Sequence, residues 1–366
     1  MKKIIQKSYN MNIIYVLMPI LICIAKFIRY TIMKTVLVDA GIGNFFLKSI
    51  LYDSNLKIKF FSEGGVSEAG GNTVAIFKFI NFLNLTTYIQ FEVFITFIWN
   101  ILLVIILFKA QTRLSELQLS FIILSIIVLN IFDFTLAKEP IQMLFFILIY
   151  LVLICKSLNK TNKFILSVII IIFSALFFRI YYLLIAFFSI SVGIILSIDK
   201  RKNKKTGFKK IVKYIILLGI IYFMFLVLCK VLKPNEYSEL IRVRTRVGGA
   251  KSDMINIFRS DNLVLFVLDY LLMLIRMLLP IELLPLGIKY VPYVLYQVVI
   301  TFFIIKALRN FKNNDSIKNI ALIIYLGFIL GSAAFEPDFG SWVRHEAVIF
   351  PILMLIAEIY NKNQYA

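Results

Sequence analysis

The stretch Glu336-Pro-Asp-Phe-Gly-Ser-Trp-Val-Arg-His-Glu346 is a polar island between two long apolar runs, and it carries the protein's one histidine. Histidine is the side chain suited to general-base work near neutral pH, which makes His345 a candidate base. Asp338 or Glu336 would orient it, or act as the base instead. Arg344 beside it can neutralise an anion. In a chain that is 61% hydrophobic, a titratable cluster at the edge of a bilayer is expensive and calls for a function.

Other polar positions extend the inventory. In Ala137-Lys-Glu-Pro140 the proline fits the first turn of a helix, and Glu139 sits near that helix's positive end. Lys138 and Glu139 are either a helix cap with a snorkelling lysine or a substrate-facing ion pair. Arg179, in Phe177-Phe-Arg-Ile-Tyr-Tyr182, stands between two apolar runs; it is a helix-end anchor or a substrate contact. Arg242, Arg244 and Arg246 alternate, so an extended strand would point all three one way. Guanidinium grips phosphate in a bidentate fork and stays charged, and Gly248 and Gly249 admit close approach of a ligand. The alternative is a solvated basic loop. Asp39, Glu63 and Glu68 read as ordinary loop acids, with Asp39 a conceivable base.

Much chemistry is excluded. The sequence has no P-loop, no paired-cysteine motif, no HExxH and no GxSxG elbow. One histidine and scattered carboxylates make no recognisable metal site. The reaction is expected to run without nucleotide, metal or cofactor.

The elements that position these residues are apolar segments about bilayer length. They lie near 11–32, 88–108, 119–136, 141–155, 164–178, 182–198, 211–231, 263–283, 291–305, 319–334 and 347–360. They do not alternate as barrel strands would. The fold class is all-α, a polytopic integral membrane protein of ten or eleven transmembrane helices. The whole chain, 1–366, reads as one transmembrane domain with two large outer loops, 33–87 and 232–262. Cys23, Cys155 and Cys229 lie in apolar runs and suggest no disulfide framework.

The formal charge of +20 sits mostly in short loops. There it sets topology and meets anionic lipid, so no nucleic-acid partner is expected. The N-terminus, 109–118, 156–163, 199–213 and 306–318 are the basic segments and belong inside. Eleven crossings cannot satisfy this, so one segment between 263 and 305 should fail to cross. Pro280, Glu282, Pro285, Gly287 and Pro292 suit a broken or re-entrant helix there. Ten crossings leave both termini cytoplasmic and the polar sites outside. In the first outer loop, Ile42, Phe45, Phe46 and Ile50 predict a surface helix, and Gly64, Gly65, Gly70 and Gly71 predict a mobile remainder.

An outer-face enzyme acting on a lipid diphosphate sugar needs this inventory. Arginines stabilise the departing diphosphate, one base activates a hydroxyl, and Tyr181, Tyr182 and Trp342 would stack on sugar. The order of sites resembles capsular and exopolysaccharide repeat-unit polymerases of the Wzy type, including EpsG-like proteins. The resemblance is carried by Lys138-Glu139, by Phe178-Arg179-Ile-Tyr-Tyr182 and by Glu336-Pro-Asp-Phe-Gly-Ser-Trp-Val-Arg-His345. Arg244 with Gly249 is similar to an Arg-x4-Gly pattern of polymerase outer loops.

The resemblance implies a metal-independent glycosyltransferase, with a GT-C-like architecture as one form of the fold. It would join oligosaccharide units carried on undecaprenyl diphosphate at the outer leaflet of a bacterial plasma membrane. Membrane lipids, a flippase and a chain-length regulator would be its partners. Carried over, Arg344, Arg242, Arg244 and Arg246 would hold diphosphate, His345 or Asp338 would activate the acceptor, and Lys138, Glu139 and Arg179 would shape the cavity. The rival expectations are a ligase, a polyprenyl-phosphate-sugar transferase built on Asp39, and a flippase without chemistry.

Overall fold

Backbone amides in hydrocarbon must be satisfied within the chain, and the apolar runs accordingly fold as α-helices in the computed structural model. The structure describes residues 8–32, 47, 50–51, 65–110, 113–177, 181–201, 208–232, 235, 237–238, 252–254, 256–258, 262–336 and 338–361. Arg179, Arg242, Arg244, Arg246, Gly248, Gly249, Asp39 and Glu63 lie outside them, as does the side chain of Glu68.

The chain opens with strand β1 (Ser8–Asn10) and helix α1 (Asn12–Phe27), which continues as a wider turn over Ile28–Ile32. Next come α2 (Gly65–Ile80), α3 (Tyr88–Leu107), strand β2 (Arg113–Ser115), α4 (Glu116–Phe132), α5 (Glu139–Ile154), α6 (Lys160–Phe177), α7 (Tyr182–Arg201) and α8 (Phe208–Leu232). After α9 (Leu263–Leu278), two 3-10 turns at Ile281–Leu286 and Ile288–Tyr290 lead into α10 (Val291–Arg309). The last helices are α11 (Ser316–Phe335), α12 (Phe339–Ala347) and α13 (Phe350–Ile356).

Local sequence sets these boundaries. Thr87 with Gln90 and Ser115 with Gln118 form capping boxes at the starts of α3 and α4. Asn262, Asp315 and Asp338 cap α9, α11 and α12. By length and composition, five described helices can cross a membrane, and α12 with α13, bent by 70°, makes a sixth if the pair is one span. Glu116–Phe132, Glu139–Ile154, Tyr182–Ser197 and Gly219–Leu228 are apolar but shorter. This is the architecture of a helical, multi-pass membrane protein.

The central post is α11, whose apolar window is 94% buried. It packs along α7 at very close range, and its sequence permits this through Gly327 and Gly331. A Cβ on Gly327 would stand 2.7 Å from the Ser189 backbone nitrogen, and one on Gly331 would meet Ile185 Cγ1 at 2.6 Å. Four-residue spacing of glycines lets two helix backbones approach in lipid, where packing has to supply the association energy.

Contacts sort the helix ends into two groups. At one end β1 pairs antiparallel with β2, Ser8 opposite Ser115. There the Gln118 amide donates to the Ala357 carbonyl at 2.8 Å, Lys318 pairs with Glu358 at 3.4 Å, and Tyr360 donates to Asp315. This basic end unites the N-terminal segment with the 113–118 and 315–318 segments, three of the regions that the charge pattern assigns to one side. The opposite end holds the polar island.

Two expectations change. Gly65, Gly70 and Gly71 do not make a loose loop: they lie in α2, which the Asn72 amide pins to the Phe177 carbonyl at 2.7 Å. The island is not an exposed loop; Phe339–Ala347 is a helix with Trp342, His345 and Glu346 buried. Between 263 and 305 the chain is broken as expected, and Thr301, midway along α10, donates to the Leu278 carbonyl at 2.6 Å. So α9 ends against the middle of α10, with the two 3-10 turns carrying the chain to the start of α10.

Candidate functional site

His345 stands at the meeting point of three elements. Asp338 starts α12, and the next two turns carry His345 inward onto the C-terminal end of α11 and the N-terminal end of α5. There Glu336, the C-cap of α11, sets its Oε1 2.5 Å from His345 Nδ1. Glu139, in the first turn of α5, sets its Oε1 3.8 Å from His345 Nε2. All three side chains are buried. Hydrogen bonding to the carboxylate assigns the proton to Nδ1 and leaves Nε2 as the ring's acceptor. The 3.8 Å gap to Glu139 is too long for a hydrogen bond and leaves Nε2 facing a carboxylate it does not touch.

Asp133, just past the end of α4, is the residue that sequence reasoning missed. It is fully buried, and among the described residues neither carboxylate oxygen has a hydrogen-bond partner. Its charged neighbours are Glu139 of α5, Arg344 of α12 and Arg29 of the turn that follows α1. Unsatisfied buried polar atoms are rare in folded proteins and mark sites with a task.

A second cluster adjoins through the loop after α4. Arg29 Nε and Lys26 Nζ both reach Glu92 Oε1, at 2.8 and 3.0 Å. Arg29 also donates to the Ile131 carbonyl at 2.6 Å and to Thr135 Oγ1 at 3.2 Å, and Lys26 donates to the Phe134 carbonyl at 2.9 Å. The signal was present in the sequence. Two cations in the first span and one carboxylate in α3 are opposite charges inside apolar runs, and such charges pair.

The remaining candidates divide. Asp338 caps α12: Oδ1 accepts from the Ser341 amide at 2.8 Å and Oδ2 from the Ser341 hydroxyl at 3.1 Å. This gives it a structural task, and Glu336, the other candidate orienter, holds the histidine. Arg344 Nε donates to the Gly340 carbonyl at 3.3 Å. Lys138 immediately precedes α5, next to Glu139, and makes no side-chain cap. Tyr182 accepts a hydrogen bond from Gln142 and is buried. Trp342 is buried against Phe328, ring centroids 5.7 Å apart, and Tyr181 stacks on Phe335 at 5.4 Å. The buried Tyr182 and Trp342 rings pack within the bundle, and Tyr181 is half-buried beside them. The 232–262 segment does approach the island: Asp253 bridges Asp338, and the Phe339 amide donates to the Ser252 carbonyl at 2.9 Å.

Glu346, one residue beyond His345, points elsewhere. It accepts from Tyr325 at 2.5 Å and Gln297 at 3.0 Å between α10 and α11. Among the described residues, no group of three or more histidine, cysteine or acidic side chains is arranged to hold a metal ion.

No family model, curated protein or solved structure matches this chain.

Proposed function

We propose that the protein is a membrane glycosyltransferase that joins lipid-diphosphate-linked oligosaccharide units into a polysaccharide at the outer leaflet. The observation that supports this most is the buried dyad: His345 Nδ1 held 2.5 Å from Glu336 with Nε2 turned toward Glu139. In the proposed step, the acceptor hydroxyl gives its proton to Nε2 as its oxygen bonds to the anomeric carbon of the donor. The anomeric carbon–oxygen bond to diphosphate breaks, and the diphosphate leaves with the electron pair. Glu336 fixes the imidazole tautomer and stabilises the imidazolium that forms. Arg344 would meet the diphosphate charge, with Arg179 and Arg242–Arg246 as further candidates outside the described residues. Removing a positioned base costs about 10²- to 10⁴-fold in rate.

The experiment is reconstitution. Purified protein in vesicles receives lipid-diphosphate-linked repeat units, and products are resolved as a length ladder. Wild type should build a ladder, and His345→Ala should lose about 10²-fold or more of the rate. Glu336→Gln should lose most of it. A wild-type protein that leaves the units monomeric sinks the reaction. A His345→Ala protein as fast as wild type removes the base.

The buried Glu346–Tyr325–Gln297 group favours a second reading, a proton-coupled carrier for the same lipid-linked units. Acids kept inside a helical bundle also serve proton relays. In the same vesicles a carrier would move labelled units across the bilayer without lengthening them.

A further inference from the structure

A lateral groove runs between α1 and α3, enclosing a cavity of about 1010 Å³. Tyr15, Met18, Pro19, Ile22, Lys26 and Tyr30 line one wall at helical spacing; Glu92, Val93, Phe97, Ile101, Ile105 and Phe108 line the other. Its two ends differ in chemistry. At the basic end of the bundle, Tyr15 stacks on Phe108 with ring centroids 5.0 Å apart and closes it. At the other end stand Lys26 and Glu92, with buried Arg29 behind them.

We infer that this groove holds the hydrocarbon chain of a polyprenyl phosphate, its phosphate against Lys26. Three observations carry the assignment. The walls are apolar and their side chains are exposed: Val93, Phe97, Ile101, Ile105 and Phe108 all present surface at the groove, so in a bilayer it fills with hydrocarbon. From Tyr15 to Tyr30 it runs about 22 Å at the helical rise of ~1.5 Å per residue. That exceeds the ~15 Å available to an acyl chain within one leaflet, half of the ~30 Å hydrocarbon core, and selects a longer chain. The polar end has two cations against one carboxylate. Lys26 spends two of its three ammonium donors on Glu92 and the Phe134 carbonyl, which leaves a third for an anionic head. Through Phe134 and Thr135 this end adjoins Asp133, and so the site of His345. The inference takes the polyprenyl chain from the proposed function, and it adds the place where that chain lies and the residue that meets the phosphate attached to it, for which undecaprenyl phosphate is the probe.

Purified protein is titrated with undecaprenyl phosphate, with the uncharged polyprenol, with phosphatidylglycerol and with inorganic phosphate, and bound species are read by native mass spectrometry. Wild type should retain one undecaprenyl phosphate. Ile101→Trp, which fills the groove, should weaken binding by about tenfold or more. Val16→Trp, on an exposed face of α1 outside the groove, should leave it unchanged. Lys26→Gln should reduce undecaprenyl phosphate to the affinity of polyprenol and leave polyprenol itself unaffected, so the inference remains testable if the tryptophan variant misfolds. Equal binding of phosphatidylglycerol, equal loss in Ile101→Trp and Val16→Trp, or an unchanged Lys26→Gln would overturn it. So would retention of inorganic phosphate alone with the same dependence on Lys26. Tight, groove-dependent binding with no polymer formed would overturn the proposed reaction and keep the groove. Polymer formed by wild-type protein, with undecaprenyl phosphate retained equally by wild type and Ile101→Trp, would do the reverse.

Discussion

Glu336 and Asp338 are two residues apart and serve different purposes. Glu336 closes α11 and turns onto His345; Asp338 opens α12 and spends both oxygens on Ser341. The difference can be measured. Asp338→Ala should cost about 1 kcal/mol of stability, the usual value of an N-cap, with Asp338→Asn restoring it, and chain-lengthening rate should follow stability in both. Glu336→Gln should keep its melting temperature within a few degrees and lose rate. If Asp338→Asn loses rate while remaining stable, Asp338 is the base after all. The histidine and Glu336 were legible in the sequence because they sit within one short polar island, and Glu139 because Lys138-Glu139-Pro140 interrupts an apolar stretch. Asp133 was not, because a single acid after Phe132 has no local pattern; its neighbours Arg29, Glu139 and Arg344 come from three separate segments.

The helices were the most legible part of the fold. Runs near 88–108, 164–178, 182–198 and 319–334 became α3, α6, α7 and α11 with boundaries shifted by a few residues, since the length of an apolar run is itself the signal. Two elements were misread for a physical reason. Glycine lowers helix propensity by about 1 kcal/mol, which argued for a loop at Gly65–Gly71, yet α2 continues into apolar Val74 and Phe77, whose burial offsets the cost. The island was polar enough to read as a loop, yet its polar side chains find partners on α5, α10 and α11. How α11 meets α7 depends on positions that hydropathy does not register. Gly331→Leu would put its side chain into Ile185, whose Cγ1 lies 2.6 Å from the added Cβ. Overpacking of this kind costs about 1–3 kcal/mol, more where backbone must move, and Gly327→Leu meets the Ser189 backbone directly. Both variants should show lower melting temperatures in detergent, with Gly327→Leu the worse, whereas Gly219→Ala, whose nearest neighbour is Val267 at 3.5 Å, should be tolerated.

The molecule as a whole has one end rich in lysine and arginine and another that gathers buried acids around His345. The charge pattern assigned the first to the inside, and the structure brings the N-terminal strand, the 113–118 segment and the 315–318 segment together at one end. Single cysteines at Ser8, Ser115 and Asn314, in a background freed of Cys23, Cys155 and Cys229, should react with a membrane-impermeant maleimide only after the cell is opened; one at Asn84 should react in intact cells. Labelling of Ser115 and Asn84 from the same side would contradict the orientation on which the outer-leaflet reaction depends. The two-stranded ribbon at the basic end has a kinetic consequence. Its partners lie far apart in the chain: Tyr9 and Glu116, hydrogen-bonded beside it, are separated by 107 residues. At a synthesis rate of about 5–20 residues per second, the first strand waits roughly 5 to 20 s for the second. During that interval α1 sits in the bilayer before β2 exists to anchor its start, and Lys26 and Arg29 must wait for Glu92. The first helix is therefore a late recruit to its own fold, held in reserve while the helix that will face it is being made.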